Sequence, residues 1–215
     1  MANLNTGSDR AALKERGDDL YETPRVAIEA LLRHERLPHY LWEPACGPGA
    51  IVDVLRAHGH ECIASDLVDY GNGTSFWGRD FLMEYRAPAN CQCIITNPPF
   101  KLANEFVGHA LSLCPKVVML LRLAFLESQR RSAILDSGQL ARVYVFRNRL
   151  PMMHRSGRGT KVAKTNSSAL PFAWFVWERD WNKPAELRRI SWEPLAGAAC
   201  ALSPQDVALA DMKES

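Results

Sequence analysis

The 215-residue chain has the length and composition of a single globular domain, with 47% hydrophobic and 23% charged residues. Its formal net charge of +2 excludes a strongly basic packaging protein but leaves room for a local basic patch. No apolar run approaches the roughly 20 residues that span a bilayer, and the polar start lacks the apolar stretch of an export signal. We therefore expect a cytoplasmic protein whose six cysteines are reduced.

The polar residues 1–17 predict a flexible N-terminal segment that leads into the first regular element. Thr23 and Pro24 have the residue types preferred at a helix N-cap and at the first helical position. Apolar periodicity and turn residues predict the elements in chain order. They are helix 24–37, strand 39–45, helix 49–59, strands 61–66 and 92–97, helix 101–114, strand 116–123, helix 124–138, and strands 141–147, 170–179 and 187–195.

The alternation of strands with helices of ten or more residues predicts an α/β fold, with a mostly parallel central sheet and helices on both faces. The last strands have little helix between them, so an antiparallel strand is expected at one edge. Ligands of such sheets bind beyond the carboxyl ends of the strands. Glu43, Asp66, Asp80 and Asn97 lie at or beyond predicted strand ends. We expect these four residues to lie along one rim.

The sequence EPACGPG at 43–49 places an acid and two glycines between a strand and a helix. Gly47 and Gly49 let the backbone approach a ligand closely, and the helix N-terminus beyond them presents free N–H groups. No Gly-Lys-Ser/Thr sequence follows, which argues against a triphosphate ligand. A plain strand-to-helix turn would also explain this loop.

Two further acids extend the pattern. Asp66 ends the next strand, where a carboxylate can accept hydrogen bonds from ribose hydroxyls. Asp80 stands beside Phe81, so an adenine amino group could bind the acid while the ring packs on the base. Together with Glu43, these residues predict a pocket for an adenosine that carries a positively charged tail without phosphate.

These segments, together with NPPF at 97–100, resemble the class I S-adenosylmethionine-dependent amino-methyltransferases in order and spacing. The matching segments are 43–49, Asp66, 79–82 and 97–100, and LYETP at 20–24 is similar to the amino-terminal cofactor motif of that family. The resemblance implies a Rossmann-like methyltransferase fold with S-adenosyl-L-methionine as cofactor. The cofactor-binding residues that it implies are Tyr21, Thr23, Pro24, Glu43, Ala45, Cys46, Gly47, Gly49, Asp66, Leu67, Asp80, Phe81 and Asn97.

The resemblance also assigns catalysis to Asn97, Pro98, Pro99 and Phe100. A base amino group is a poor nucleophile because its lone pair is delocalised, and acceptors on its two N–H bonds would reduce that delocalisation. The Asn97 side-chain oxygen and the Pro98 carbonyl can be these acceptors, since the prolines hold the corner rigidly. Phe100 can stack on a base that has been flipped out of a duplex. Asn97 is neutral, so the proton is expected to leave to water.

The segment 147–171 joins two predicted strands, is rich in arginine and lysine, and contains no acid. Such a loop near the rim is suited to phosphate contacts, although an ordinary solvated loop has the same composition. The substrate-binding residues predicted from it are Arg147, Arg149, His154, Arg155, Arg158, Lys161 and Lys164. Cys91 and Cys93 lie in an apolar strand without further ligands at zinc spacing, so we predict core packing and no metal site.

The leading hypothesis is a DNA adenine-N6 methyltransferase, because the cofactor motifs precede the catalytic motif as in many of those enzymes. One methyltransferase domain is expected over 18–195, with a tail over 196–215 and no separate target-recognition domain. This compact form resembles small methyltransferases of phages and mobile elements. Cytosine N4, an RNA base and a protein glutamine stay open as targets, and so does an inactive nucleic-acid-binding protein of the same fold. DNA is the expected partner, and the sequence leaves monomer and homodimer open.

Overall fold

The structure is a computed structural model that describes residues 20–71, 76–155 and 170–193. The predicted N-terminal segment 1–17 and tail 196–215 lie outside the described residues. The helices are α1 (Arg25–Leu32), α2 (Ala50–Ala57), α3 (Ala103–Leu113) and the single turn α4 (Ser132–Leu135). The strands are β1 (Leu20–Glu22), β2 (Tyr40–Glu43), β3 (Glu61–Ala64), β4 (Cys93–Thr96), β5 (Lys116–Arg122), β6 (Leu140–Phe146), β7 (Met153–Arg155), β8 (Phe172–Glu178) and β9 (Glu186–Ile190).

Seven strands form the central sheet in the order β3-β2-β4-β5-β8-β6-β9. The first four of these are parallel to one another, β8 is antiparallel to both of its neighbours, and β9 is parallel to β6. Six strands therefore run in one direction and β8 runs in the other. The predicted α/β fold with a mostly parallel sheet is confirmed. The antiparallel strand lies toward one edge, where β8 is inserted between β5 and β6.

The sheet is covered on both faces, so its middle strands are apolar at successive positions. Along β5, Val118 and Leu120 pack into the core shared with α1 and α2, while Val117 and Met119 pack into the core shared with α3. Cys93 is fully buried, in agreement with its predicted place in the core. Among the described residues, no helix combines the length and the apolarity that crossing a membrane requires.

The predicted helix over 124–138 is wrong. The chain instead forms two 3-10 turns, Leu123–Leu126 and Gln129–Arg131, followed by α4. Ser128 separates the two turns with φ at +118°, outside the helical region, and its hydroxyl accepts a hydrogen bond from the Arg130 N–H. The Arg131 guanidinium donates to three carbonyls of the first turn and its flank, which satisfies acceptors that a longer helix would have used.

Two elements were not expected from the sequence. β1 and β7 pair antiparallel, with Tyr21 opposite His154, in segments predicted as the approach to the first helix and as a loop. The first helix is also shorter than the predicted 24–37, since it ends at Leu32. Its N-cap is Pro24 rather than Thr23. Three-residue strands are too short for a periodic pattern, so the pairing became visible only in the structure.

Candidate active site

The carboxyl ends of the parallel strands bring Glu43, Asp66 and Asn97 to one rim, three of the four residues expected there. Glu43 is the last residue of β2, and Asn97 directly follows β4. Asp66 lies two residues beyond β3, the neighbour of β2 on its other side. Three segments that are far apart in sequence therefore deliver polar side chains to one edge of the sheet.

The loop between β2 and α2 makes a tight corner that depends on glycine. Gly47 has φ at +51° and Gly49 has φ at +100°, the left-handed region that side chains disfavour. The Gly49 N–H donates to the Cys46 carbonyl at 2.9 Å, and Gly49 itself is the N-cap of α2. The corner thus turns the backbone back beneath the rim and points the start of α2 toward it.

Asp66 ties that corner to the next strand. Its Oδ2 accepts the Gly47 N–H at 2.8 Å, and its Oδ1 accepts the Val68 N–H at 2.9 Å. The Cys46 N–H also donates to the carbonyl of Ser65, at 3.1 Å. A carboxylate oxygen can accept more than one hydrogen bond, so Asp66 can position the loop and still accept from a ligand.

Glu43 is the most buried acid of the site, with 2% exposure. Burial raises the pKa of its carboxyl well above the usual range, the negative charge of Asp66 raises it further, and the Val52 N–H of α2 opposes the shift. No described residue donates a hydrogen bond to the Glu43 Oε2. A buried acid with an unsatisfied oxygen is suited to a ligand that brings a positive charge or an N–H donor.

A small cleft joins these pieces. It has a volume of about 30 Å³ and is lined by Glu22, Thr23, Glu43, Ala45, Cys46, Gly47, Pro48, Ala50, Ile51 and Asn97. Six of these are predicted site residues: Thr23, Glu43, Ala45, Cys46, Gly47 and Asn97. Pockets for drug-sized ligands usually have a volume of roughly 300–1,000 Å³. The residues that line this cleft would therefore have to move apart to admit a nucleoside. The segment after β1 supplies one of those walls.

A larger cavity of about 410 Å³ lies elsewhere, at the opposite ends of the strands. It is lined by residues that begin or precede strands, such as Tyr40, Glu61 and Cys91. We assign the site to the smaller cleft, because ligands of parallel sheets bind at the carboxyl ends and because the glycine corner lies there.

The NPPF segment leaves β4 and turns across the rim. Asn97 is half-buried, Pro98 is buried and Pro99 is exposed. The Pro99 carbonyl accepts the Leu102 N–H at 2.9 Å, which starts a 3-10 turn over Phe100–Leu102. In contrast, no described residue donates a hydrogen bond to the Pro98 carbonyl. Among the described residues, no donor therefore competes with a ligand for the Pro98 carbonyl.

Phe100 is half-buried at the end of this segment, against the start of β8. Its ring centroid lies 5.7 Å from that of Phe172. The guanidinium carbon of Arg122 lies 4.2 Å from the Phe100 centroid, over the ring. No role for Arg122 was predicted from the sequence. The only signal for it is its place as the charged last residue of an apolar strand, directly on the rim.

Asp80 and Phe81 are neighbours in the chain but lie in different environments. Asp80 is exposed, and its side chain accepts the Leu82 N–H at 3.0 Å. The Phe81 ring is only 3% exposed and packs against Trp42, Phe106 and His109. Its predicted role of packing on a base would require an exposed ring face, whereas the observed ring anchors the segment in the core. Leu67, in contrast, is 53% exposed beside Asp66.

Comparison with known proteins adds the fold. No protein-family model and no curated protein matches the chain. A proposed class I S-adenosylmethionine-dependent methyltransferase from Listeria monocytogenes is similar in structure, with a TM-score of 0.56 and 11% identity over 96% of this chain and 76% of that one. The protein has the Rossmann-like methyltransferase fold.

Two other structures share the methyltransferase fold. A modification subunit of a proposed type I restriction enzyme from Vibrio vulnificus gives a TM-score of 0.53 and 13% identity over 88% of this chain. The chain spans about half the length of that subunit, 50%. A proposed RNA methyltransferase from Pyrococcus horikoshii gives a TM-score of 0.51 and 13% identity over 74% of this chain and 87% of that one.

The structure describes four of the seven predicted substrate-binding residues. Arg147 and Arg149 are exposed just beyond the carboxyl end of β6. His154 and Arg155 belong to β7, where the backbone is described. Arg158, Lys161 and Lys164 lie outside the described residues.

Proposed function

We propose that this protein transfers a methyl group from S-adenosyl-L-methionine to an exocyclic amino group, with adenine N6 in DNA as the leading target. The observation that carries the proposal is the shared cleft. The glycine corner and Glu43 form one part of its lining, and Asn97 of NPPF forms another. A strand-to-helix turn alone would not require an amide side chain from a neighbouring strand end at the same opening.

The residues of the cleft fit S-adenosyl-L-methionine, which supplies an activated methyl group on a positively charged sulfur when bound. The unsatisfied Glu43 oxygen suits the positively charged tail of that molecule. Asp66 lies beyond a strand end, where a carboxylate can accept from ribose hydroxyls, and the corner contains no lysine for a phosphate chain. Asp80 would serve the adenine amino group. Tyr21, Thr23 and Pro24 would cover the opposite side.

At the target nitrogen the protein would act mainly by positioning. The Asn97 side-chain oxygen and the Pro98 carbonyl would accept the two amino hydrogens, which directs the nitrogen lone pair toward the methyl group. The unused Pro98 carbonyl supports this role. Pro99 would hold the corner, and Phe100 would stack on the base. No neighbouring group is needed to take the proton, because it can leave to water once the nitrogen is methylated.

The charge along the rim supports a nucleic-acid substrate. Leu121, Ala173, Val145 and Arg189 lie side by side across β5, β8, β6 and β9. Neighbouring strands are ~4.8 Å apart, so β9 lies ~14 Å from β5 along this rim. Positive side chains that far apart on one edge could follow a nucleic-acid backbone away from the reacting base.

Two arginines gather at the β9 end of the rim. The Arg147 N–H donates to the Ile190 carbonyl, and the Arg33 guanidinium donates to the Ser191 carbonyl. Burial lowers the pKa of His34, and the charges of Arg33, Arg188 and Arg147 lower it further. Arg188 is paired with Glu186, so Arg33 and Arg147 are the better candidates for phosphate contacts.

Other targets share this chemistry. Cytosine N4, an RNA base or a protein glutamine also presents a planar amino group, and the fold is shared with a proposed RNA methyltransferase as well as a restriction modification subunit. The basic rim favours nucleic acid over protein. An inactive nucleic-acid-binding protein of the same fold would not need the Asn97 and Pro98 arrangement.

The proposal is tested by incubating the protein with tritiated S-adenosyl-L-methionine and either DNA, RNA or protein, followed by nucleoside and amino-acid analysis. We expect label in DNA as N6-methyladenine. Label in N4-methylcytosine, RNA or glutamine would move the target within the same chemistry. No transfer to any acceptor, together with no binding of the cofactor, would overturn the proposed function.

A further inference from the structure

The Arg122 side chain lies over the Phe100 ring, on which the proposed mechanism stacks the target base. Arg122 is the last residue of β5, and its guanidinium lies over Phe100 with 4.2 Å between the guanidinium carbon and the ring centroid. The side chain makes no hydrogen bond or ion pair with any described residue, and its Nε is buried without an acceptor. A buried donor left unsatisfied costs stability, so an acceptor brought to this Nε would be favourable.

A second arginine in the chain shows what a structural role looks like. Arg131 lies over Phe125 at 4.4 Å, a nearly identical stacking distance. Its guanidinium also donates to the carbonyls of Ala124, Phe125 and Glu127, at 3.1, 3.1 and 2.6 Å. Arg131 is thus held by acceptors of its own chain. Within the part of the chain that the structure describes, Arg122 has only the aromatic contact, and Arg122 lies on the rim.

We propose that Arg122 covers Phe100 in the free protein and, when a target base stacks on Phe100, moves aside to bind a backbone phosphate of the strand that carries that base. This inference rests on the proposed function, because it needs a nucleic-acid base at Phe100. A flat guanidinium and a flat base compete for the same ring face. A phosphate offers the paired oxygens that the planar N–H groups of arginine recognise.

The position of Arg122 suits this exchange. Asn97 directly follows β4 and Arg122 ends the neighbouring parallel strand β5, so a base held at Asn97 would lie next to the strand end that carries Arg122. The exchange replaces an aromatic contact and an unsatisfied Nε by charge-assisted hydrogen bonds. Arg122 would therefore be the first cation that the entering strand meets, ahead of Arg147 and Arg33 at the far end of the rim.

The test compares Arg122→Met, Arg122→Lys and the matched control Arg131→Met. Methionine keeps an apolar chain over Phe100 but cannot bind phosphate, while lysine restores the charge. Circular dichroism and melting temperature establish that each variant folds. The affinity for fluorescently labelled DNA is then measured by anisotropy at several salt concentrations, and the affinity for S-adenosyl-L-methionine is measured by calorimetry.

For Arg122→Met we expect DNA binding to weaken about tenfold and the slope of log K against log salt to fall by about 0.9, the loss of one phosphate contact. Arg122→Lys should recover most of the slope, and Arg131→Met should match the wild type. An unchanged slope in Arg122→Met would overturn the proposal. So would a loss of cofactor affinity with unchanged DNA binding, which would place Arg122 on the cofactor's carboxylate. The proposed function fails separately, if the wild type neither transfers a methyl group to any acceptor nor binds S-adenosyl-L-methionine.

Discussion

At the scale of single residues, Glu43 and Asp66 divide two tasks at one corner. Asp66 is engaged by two backbone N–H groups and fixes the shape of the loop. Glu43 is buried with an unsatisfied oxygen and a raised pKa, to which the charge of Asp66 contributes. One acid thus builds the cleft, and the other leaves a place in it for a positive charge.

The raised pKa of Glu43 predicts how cofactor binding depends on pH. A cationic ligand favours the ionised carboxyl, so binding to the protonated form must release a proton. Affinity for S-adenosyl-L-methionine should therefore weaken as pH falls below the Glu43 pKa of the free protein and level off above it. Calorimetry across that range measures the effect. In Glu43→Gln this pH dependence of the affinity should disappear. The same pH dependence in that variant as in the wild type would contradict the role of Glu43.

Because Asp66 accepts hydrogen bonds that shape the corner, we predict that Asp66→Ala weakens cofactor binding more than it destabilises the fold. Two charge-assisted hydrogen bonds are lost at the corner, and we expect the dissociation constant to rise at least about tenfold. Asp69→Ala is a matched control, because Asp69 also accepts a backbone N–H, that of Gly71, but in an exposed loop. Equal affinities for the Asp66 and Asp69 variants would refute the role of Asp66.

Among the elements, the seven strands of the central sheet were predicted well from the sequence, whereas the two short strands β1 and β7 and the irregular segments were not. β4, β5 and β8 are apolar runs because both of their faces are buried, and such runs are readable without a structure. The helix expected over 124–138 failed because Ser128 adopts a positive φ and Arg131 satisfies the carbonyls of the turn. Nothing in the amino-acid pattern reports either event.

The site divides in the same way. Glu43, Gly47 and Asn97 were predictable because motif and strand end coincide, and they share a cleft in the structure. The burial of the Phe81 ring depends on three aromatic side chains from other elements, and the cover over Phe100 depends on a single arginine. Contacts of this kind are set by tertiary packing, which a local pattern does not contain.

The corner before α2 gives a prediction for that element. Gly49→Ala places a side chain at a φ of +100° and should destabilise the protein by about 1 kcal/mol or more, with weaker cofactor binding. Gly108→Ala is the opposite case, because Gly108 lies within α3 with open space around it. That control should gain about 0.5–1 kcal/mol. Urea unfolding compares the two, and a neutral Gly49→Ala would contradict the strained corner.

At the scale of the whole molecule, one buried acid connects several elements at the end of the sheet opposite the cleft. Glu35 accepts hydrogen bonds from Lys116 of β5 at 2.6 Å, from Arg142 of β6 at 2.6 Å and from Tyr144 at 2.8 Å. Glu178 of β8 contacts the same two cations. The network links α1 and its loop to three neighbouring strands.

This network predicts acid sensitivity. Burial tends to raise the pKa of Glu35, but the hydrogen bonds from Arg142 and Lys116 outweigh it and hold the pKa below its usual value. A lowered pKa contributes stability that is present above the unfolded-state pKa and is lost as pH falls through the folded one. Glu35→Gln should cost about 2 kcal/mol at neutral pH and less in acid, because two partly buried cations lose charge-assisted hydrogen bonds and keep Glu178 as a carboxylate partner. Urea unfolding at both pH values tests this, with exposed Glu61→Gln as control. An equal loss of unfolding free energy at neutral and at acid pH would contradict the lowered pKa of Glu35.

In the proposed mechanism, Asn97 prepares an amino group for methylation at the cleft that it lines together with Glu43 and Gly47. The most direct measurement is single-turnover methyl transfer to DNA by wild type, Asn97→Ala and the control Asn104→Ala, whose asparagine lies in α3 away from the cleft. We predict that Asn97→Ala loses at least about 100-fold in rate, on the scale of removing one polar contact made to the transition state. Its affinity for S-adenosyl-L-methionine should stay near that of the wild type, and Asn104→Ala should keep both. Full activity in Asn97→Ala would contradict the account.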